Sequence, residues 1–185
     1  MSVLYMDSPL GRIVIAETEG YISKVSFIDK EPAPSIQDGP VQPGNQPTEA
    51  AIPLHHESAI QQAFPDETPT PLLRECAAQL DAYFRKDLRA FDLPLRQEGS
   101  PFQQLVWQNL LTIPFGETIT YLALAKRLGN VKSIRAAGTA NGRNNIAIIV
   151  PCHRVIGSGG ALTGYAGGIW RKQFLLDLEK GGLLF

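Results

Sequence analysis

Cys152 and His153 carry the residue types of a reactive thiol, set in Val150-Pro151-Cys152-His153-Arg154-Val155 directly after the apolar run 146–150. A free cysteine titrates at about 8.5, so little of it is thiolate at neutral pH, and a nucleophilic one needs a base or a positive neighbour. His153 and Arg154 offer one of each. The bare pair leaves two readings open. One is an activated nucleophile; the other is a small hydrophobe at a strand end beside an exposed loop histidine. Adjacent side chains on an extended segment point to opposite faces, so any relay between the two needs a turn or a water. Cys76 is the second cysteine, and two cysteines make no disulfide framework, Cys-x-x-Cys redox motif or structural zinc set.

The elements that must position this pair are legible in outline. Leu4 to Gly11 and Arg12 to Ala16 read as two strands about a Pro-Gly turn, and alternation over 21–28 supplies a third. Nine prolines fall between residues 31 and 71, excluding a sheet interior or long helix there, and 31–55 is expected to be a mobile loop. His55-His56 lies in that stretch with no third ligand nearby, so no metal is expected. From Pro71 to Lys86, Leu73, Cys76, Ala77, Leu80, Tyr83 and Phe84 recur at helical intervals and place Cys76 in the core.

A second domain is expected from about residue 96, after an N-terminal domain of residues 1–95. Ser100-Pro101 gives a helix cap and first helical residue, with Phe102, Leu105, Val106 and Leu110 as the buried stripe. Thr120 to Leu128, a Gly129-Asn130 turn, and Val131 to about Gly142 have helix-turn-helix spacing. Ala136, Ala137, Gly138 and Ala140 leave that second segment little with which to read base edges, Arg135 and Asn141 being its reaching side chains. Small residues suit close approach to a backbone or a narrow groove, so minor-groove, largely sequence-independent DNA contact is expected. Packing of that face on another helix is the alternative.

Composition sets the outer bounds. The chain has 185 residues, 44% of them hydrophobic, with no export signal and no apolar stretch long enough to span a membrane, so a cytoplasmic protein is expected. The net charge of −1 hides an asymmetry. Residues 1–100 hold 8 Lys/Arg against 15 Asp/Glu, and residues 101–185 hold 9 against 3, so the second half can neutralise phosphates.

Beyond Cys152 the motif continues through Gly157-Ser-Gly-Gly160 and Gly164-Tyr165-Ala166-Gly167-Gly168 to an amphipathic segment ending at Glu179. Upstream stand Pro114-Phe-Gly-Glu-Thr-Ile-Thr-Tyr121 and Ser133-Ile-Arg-Ala-Ala-Gly138. This ordered array, over about residues 100–182, resembles the O6-alkylguanine-DNA alkyltransferase family. The resemblance implies an α+β protein, a small N-terminal sheet domain with a helix followed by a mainly helical, winged-helix-like domain. It implies a direct-reversal repair enzyme that moves a methyl or other alkyl group from O6-alkylguanine, and less securely O4-alkylthymine, to Cys152. It implies the roles of the site residues as well. Glu179 orients His153, which acts through a water on Cys152, and Asn144 holds the turn. The carbonyls of Cys152 and Val155 accept from the guanine amino group, the Ala166 amide donates toward O6, and Tyr165 belongs to the same loop. Tyr121 helps turn the nucleotide out, and Arg135 fills the gap in the stack. The DNA-facing positions are Thr120, Ser133, Arg135, Ala136 and Asn141. No cofactor is expected; the partner is duplex DNA with a flipped alkylated base, and a monomer is expected.

Three rivals remain at this level. A lesion sensor without transfer is disfavoured by the intact Cys152, and a helix-turn-helix regulator by the sparse recognition segment. A cysteine hydrolase would turn over repeatedly, and a thiol-redox protein lacks its second cysteine.

Overall fold

Alternating apolar residues fold the start of the chain into three antiparallel strands, β1 (Ser2–Ser8), β2 (Gly11–Thr18) and β3 (Tyr21–Phe27). A short strand β4 (Ile60–Gln61) pairs with β1, giving the sheet order β3-β2-β1-β4. The computed structural model describes residues 1–28, 60–61 and 68–181. The loop expected over 31–55, with His55-His56, lies outside the described residues. Leu4, Met6, Ile13 and Ile15 share the buried face with the two-residue period of a strand. On β3 the register steps from Ala16 opposite Lys24 to Glu17 opposite Ile22, so Ser23 is the extra residue of a bulge. The simple alternation expected over 21–28 is broken there, which lets both Ile22 and Val25 reach the core.

Helix α1 (Pro71–Phe84) covers the buried face of the sheet. Thr70 caps it, accepting from the Leu73 amide at 3.2 Å, and proline fills the first turn, where its missing N–H costs nothing. Leu73, Cys76, Ala77, Leu80, Tyr83 and Phe84 form the buried stripe. Burial, reinforced by Glu75, pushes the Cys76 thiol up to about 12, so this cysteine packs and does not react.

Helix α2 (Pro101–Leu111) starts at a capping box in which Ser100 and Gln103 satisfy each other's backbone amides. Its buried stripe is Val106, Trp107 and Leu110; Leu105 falls on the solvent side, 43% exposed, against expectation. Trp107 takes that place because its indole Nε1 donates to the Ala140 carbonyl at 2.9 Å, satisfying the polar atom of a buried ring.

Strand β5 (Ile119–Thr120) leads into α3 (Tyr121–Arg127), and after a 3-10 turn at Val131–Ser133 comes α4 (Ile134–Gly142). This is the expected helix-turn-helix succession. Strand β6 (Val155–Ile156) runs parallel to β5, tying the start of α3 to the segment that follows Cys152. Helix α5 (Ile169–Lys180) ends at Gly181 in the left-handed region. Among the described residues no helix is long and apolar enough to cross a membrane.

The outer edge of β3 is covered by two later segments. Ile22 exchanges backbone hydrogen bonds with Pro94 and Arg96, at 2.8 and 3.0 Å, and Val25 with Asn145 and Ala147, at 2.9 and 2.8 Å. The N-terminal sheet therefore holds the strand-like approach to Cys152 through main-chain bonds.

Candidate active site

Two tight turns deliver the chain to Cys152. The Ile149 amide donates to the Ala147 carbonyl at 2.8 Å around Ile148, whose φ is +71°. The Cys152 amide donates to Val150 at 2.8 Å around Pro151. Both are three-residue γ-turns, and the first has the rare hand, strained for a β-branched residue. Asn144 staples them. Its Nδ2 donates to the Val150 carbonyl at 2.8 Å and to Cys152 Sγ at 3.1 Å, while its Oδ1 accepts from the Ile146 amide at 3.0 Å.

Cys152–Arg154 form a 3-10 turn, not an extended segment, so all three side chains are buried. His153 is 0% exposed and Cys152 5%. His153 Nε2 lies 2.8 Å from Glu179 Oε1 on α5. Burial alone would raise the Glu179 carboxyl, but hydrogen bonds and charge from His153 and Arg154 more than reverse this and hold it far below the usual carboxylate range. A carboxylate accepts only, so Nε2 carries the imidazole proton and Nδ1, which has no protein partner, is the free acceptor. Desolvation lowers the His153 pKa in spite of Glu179, leaving a neutral imidazole. The same burial raises Cys152, against the opposing pull of the Asn144 hydrogen bond and the Lys172 charge. The resting pair is thus thiol and neutral imidazole, and reaction requires the proton to move to a base.

Glu179 collects five donors from three stretches of chain. Oε1 accepts from Tyr83 Oη at 2.7 Å, from His153, and from Arg154 Nη2 at 2.9 Å; Oε2 accepts from Arg154 Nε at 2.9 Å and from the Gly116 amide at 3.0 Å. Gly116 sits at φ +79°, a left-handed conformation that presents this amide and that glycine adopts without strain.

Beside the thiol a cleft with about 250 Å³ of open space is lined by Asn144, Cys152, Gly164, Tyr165, Ala166 and Gly167. A Cβ on Gly167 would come within 2.7 Å of the Phe27 ring, so only glycine lets this loop close against β3. Tyr121, the first residue of α3, reaches over the loop and donates to the Thr163 carbonyl at 3.2 Å. Val155 lies at the exit of the turn, and Tyr165 and Ala166 line the cleft, Ala166 on its exposed side.

Arg135 and Ala136 lie exposed on α4, outside the cleft. Thr120 is occupied as the cap of α3, accepting from the Ala123 amide at 3.1 Å, and Ser133 Oγ donates to the Asn130 carbonyl at 2.6 Å. Asn141, expected to reach DNA, is instead 1% exposed and donates to the Cys152 carbonyl at 3.3 Å. It lies on the inner side of α4 with Ala137 and Ala140, where an amide can hold the thiol-bearing turn.

Three participants escaped sequence reasoning. Tyr83 and Gly116 complete the Glu179 shell, and Lys172, fully buried, donates from Nζ to the Val155 carbonyl at 2.6 Å and to Thr163 at 2.9 Å. A signal for Lys172 existed: Lys172, Leu175, Leu176 and Glu179 recur at helical intervals, placing a cation on a buried stripe.

Fold and site together define an α+β protein in which a helix-turn-helix stands beside a buried thiol served by a histidine–glutamate pair. Residues 1–97 match the ribonuclease-like domain, and residues 101–181 the DNA binding domain, of 6-O-methylguanine DNA methyltransferase. The chain belongs to that family. The methylated-DNA–protein-cysteine methyltransferase of Mycobacterium leprae is 41% identical over 179 residues, covering 97% of this chain and 92% of the relative. The constitutive enzyme of that name from Bacillus subtilis is 40% identical over 175 residues, covering 94% and 92%. A crystal structure of Mycobacterium tuberculosis OGT in complex with DNA superposes with a TM-score of 0.71 at 39% identity, covering 96% of this chain and 91% of that one.

Proposed function

We propose that this chain repairs duplex DNA by transferring the alkyl group of O6-alkylguanine to Cys152, once per molecule. The observation that carries the proposal is the buried thiol held by Asn144 beside a neutral histidine whose other nitrogen is fixed by Glu179. His153 takes the thiol proton through a bridging water. The sulfur then forms its bond to the alkyl carbon as the carbon–O6 bond breaks, and the electron pair stays on guanine. Tyr121 donates toward a guanine ring nitrogen, and the proton held by His153 restores charge balance on the purine and relay. The Ala166 amide faces O6, and the Cys152 and Val155 carbonyls receive the exocyclic amine; in the free protein Cys152 accepts from Asn141 and from the Val155 amide, so the base takes the place of the long Asn141 bond, while Val155 accepts from Lys172. The thioether is not reversed, so the protein is consumed.

In this reading residues 1–95 and 96–185 are the two domains, the second approaching DNA through the minor groove with α4. Thr120, Ser133, Arg135 and Ala136 face the duplex, and the alkylated base is flipped into the cleft. The protein works as a monomer without a cofactor. A cytoplasmic location fits a site that depends on a reduced thiol.

Intact mass and peptide mapping after mixing with duplex DNA bearing one O6-methylguanine test the proposal. The expected result is a single added methyl on the Cys152 peptide, saturating at one per chain. Tight lesion binding with unchanged mass would instead make this a sensor.

Arg135 carries the extrusion step. Unstacking a base costs a few kcal/mol, and Arg135→Ala removes the side chain that fills the gap. Transfer from duplex DNA is expected to slow by about tenfold or more. Alkylation of Cys152 by iodoacetamide is expected to stay unchanged, and equal slowing of both reactions would remove Arg135 from this role.

A further inference from the structure

We infer that Tyr83 is a positioning residue of the relay: through its hydroxyl, helix α1 fixes Glu179 and so sets the basicity of His153. The inference rests on the His153–Glu179 relay proposed above. Tyr83 is 0% exposed and lies far from the cleft in sequence, yet its hydroxyl donates at 2.7 Å to the same oxygen that receives His153 Nε2 at 2.8 Å. With Arg154 Nη2 at 2.9 Å, Oε1 has three donors for the roughly two lone-pair sites of one carboxylate oxygen, so they compete. Each donor draws on the same electron density and weakens the others' claim on it.

The ring is held as firmly as the hydroxyl. Phe84, Phe91 and Phe115 surround it with centroids 5.6, 5.4 and 5.9 Å away. Phe115 immediately precedes Gly116, the donor to Oε2, and lies under the Arg154 guanidinium at 5.9 Å. Tyr83 therefore touches the carboxylate directly and braces the loop that supplies another of its donors. A ring needed for packing alone would carry no hydroxyl, because burying one is unfavourable unless it is bonded.

Tyr83→Phe keeps the ring contacts and leaves Oε1 with two donors. The bond to His153 then strengthens and the imidazole becomes a stronger base. The charged groups facing His153 are Glu179 on α5, which favours its protonation, and Arg154 on the turn and Lys172 on α5, which oppose it; Cys152 adjoins it in the chain. None of these is altered by the substitution.

The test follows single-turnover methyl transfer from a duplex bearing O6-methylguanine between about pH 5 and pH 9, using the full chain and its Tyr83→Phe, Phe91→Leu and Glu179→Gln variants. In Tyr83→Phe the midpoint of the acid limb is expected to move up by about half a unit or more, making transfer about threefold slower below it while rates converge above. Phe91→Leu loosens the same ring without touching the hydroxyl and is expected to keep the wild-type midpoint. An unmoved midpoint in Tyr83→Phe, or an equal shift in Phe91→Leu, overturns the inference. If the midpoint is unmoved and Glu179→Gln still loses activity, the relay stands and only Tyr83 leaves it; if Glu179→Gln also transfers at the wild-type rate, the relay falls with it.

Discussion

Cys152→Ser is expected to lower the single-turnover rate of methyl transfer by about 10⁴-fold or more, while changing affinity for lesion DNA by less than about threefold. Serine is close to isosteric, and its hydroxyl can still accept from Asn144 Nδ2 and stay within the turn. What it cannot supply is the nucleophile. The thiol already needs help, since burial raises its pKa, and His153 is a base weakened and kept neutral by desolvation. A relay able to ionise a thiol is far too weak to ionise an aliphatic hydroxyl, and the Lys172 charge that favours the anion is outweighed by burial even for the thiol. Quenched-flow measurement with labelled methyl groups and a competition binding assay separate the two quantities. Transfer by the serine variant within about 100-fold of wild type would mean that Cys152 is not the acceptor.

Glu179→Ala is expected to cost about 3–5 kcal/mol of folding stability as well as transfer activity, because it strands a buried guanidinium. Arg154 keeps one side-chain hydrogen bond, from Nη1 to the Ile113 carbonyl at 2.6 Å, and its contact with the Phe115 ring, while the Tyr83 hydroxyl and Gly116 amide lose their acceptor. Replacement by glutamine is expected to be milder, since it preserves volume and one acceptor oxygen. The wild-type pH dependence has a definite sign. The folded-state pKa of Glu179 is depressed, so the unfolded chain binds the proton more readily. Its contribution is complete above about pH 4.3, the ordinary glutamate value, and is lost as pH falls below it. Urea midpoints measured between about pH 3 and pH 7 should fall with acid in the wild type and less steeply in the alanine variant. A variant with an unchanged midpoint at neutral pH would show that the five-donor cluster adds nothing to the fold.

The sequence carried the local parts of this design and not the assembly. Helix α1 was legible because six apolar positions recur on one face, and α2 because Ser100-Pro101 announces its start. Cys152, His153 and Glu179 were found through an ordered set of motifs, since Glu179 alone reads as a solvated helix end. Periodicity reports that a residue is buried, not what it meets. Tyr83 was therefore placed in the core without its bond to a residue 96 positions away. Asn141 failed for a related reason: on a helix made mostly of small residues, a polar side chain looks like the reading element, whereas α4 turns it inward to the Cys152 carbonyl. The γ-turn at Ile148 was illegible in principle, because a β-branched residue is among the poorest candidates for positive φ.

The main-chain bonds between β3 and residues 145–147 bear on how the molecule opens. Val25 and Ala147 are paired across a sheet edge although the chain between them passes through α1, α2, α3 and α4. Fraying of the first sheet removes the lateral support of the segment that ends in Asn144, Ile148 and Cys152, and collapse of that segment bares the edge of β3. The two sequence-defined halves are thus expected to share one cooperative unit of hydrogen-exchange protection, with the reactive turn at its seam. The turn that carries Cys152 therefore loses its shape only together with the edge of β3, while in the folded state the thiol is approached through the cleft.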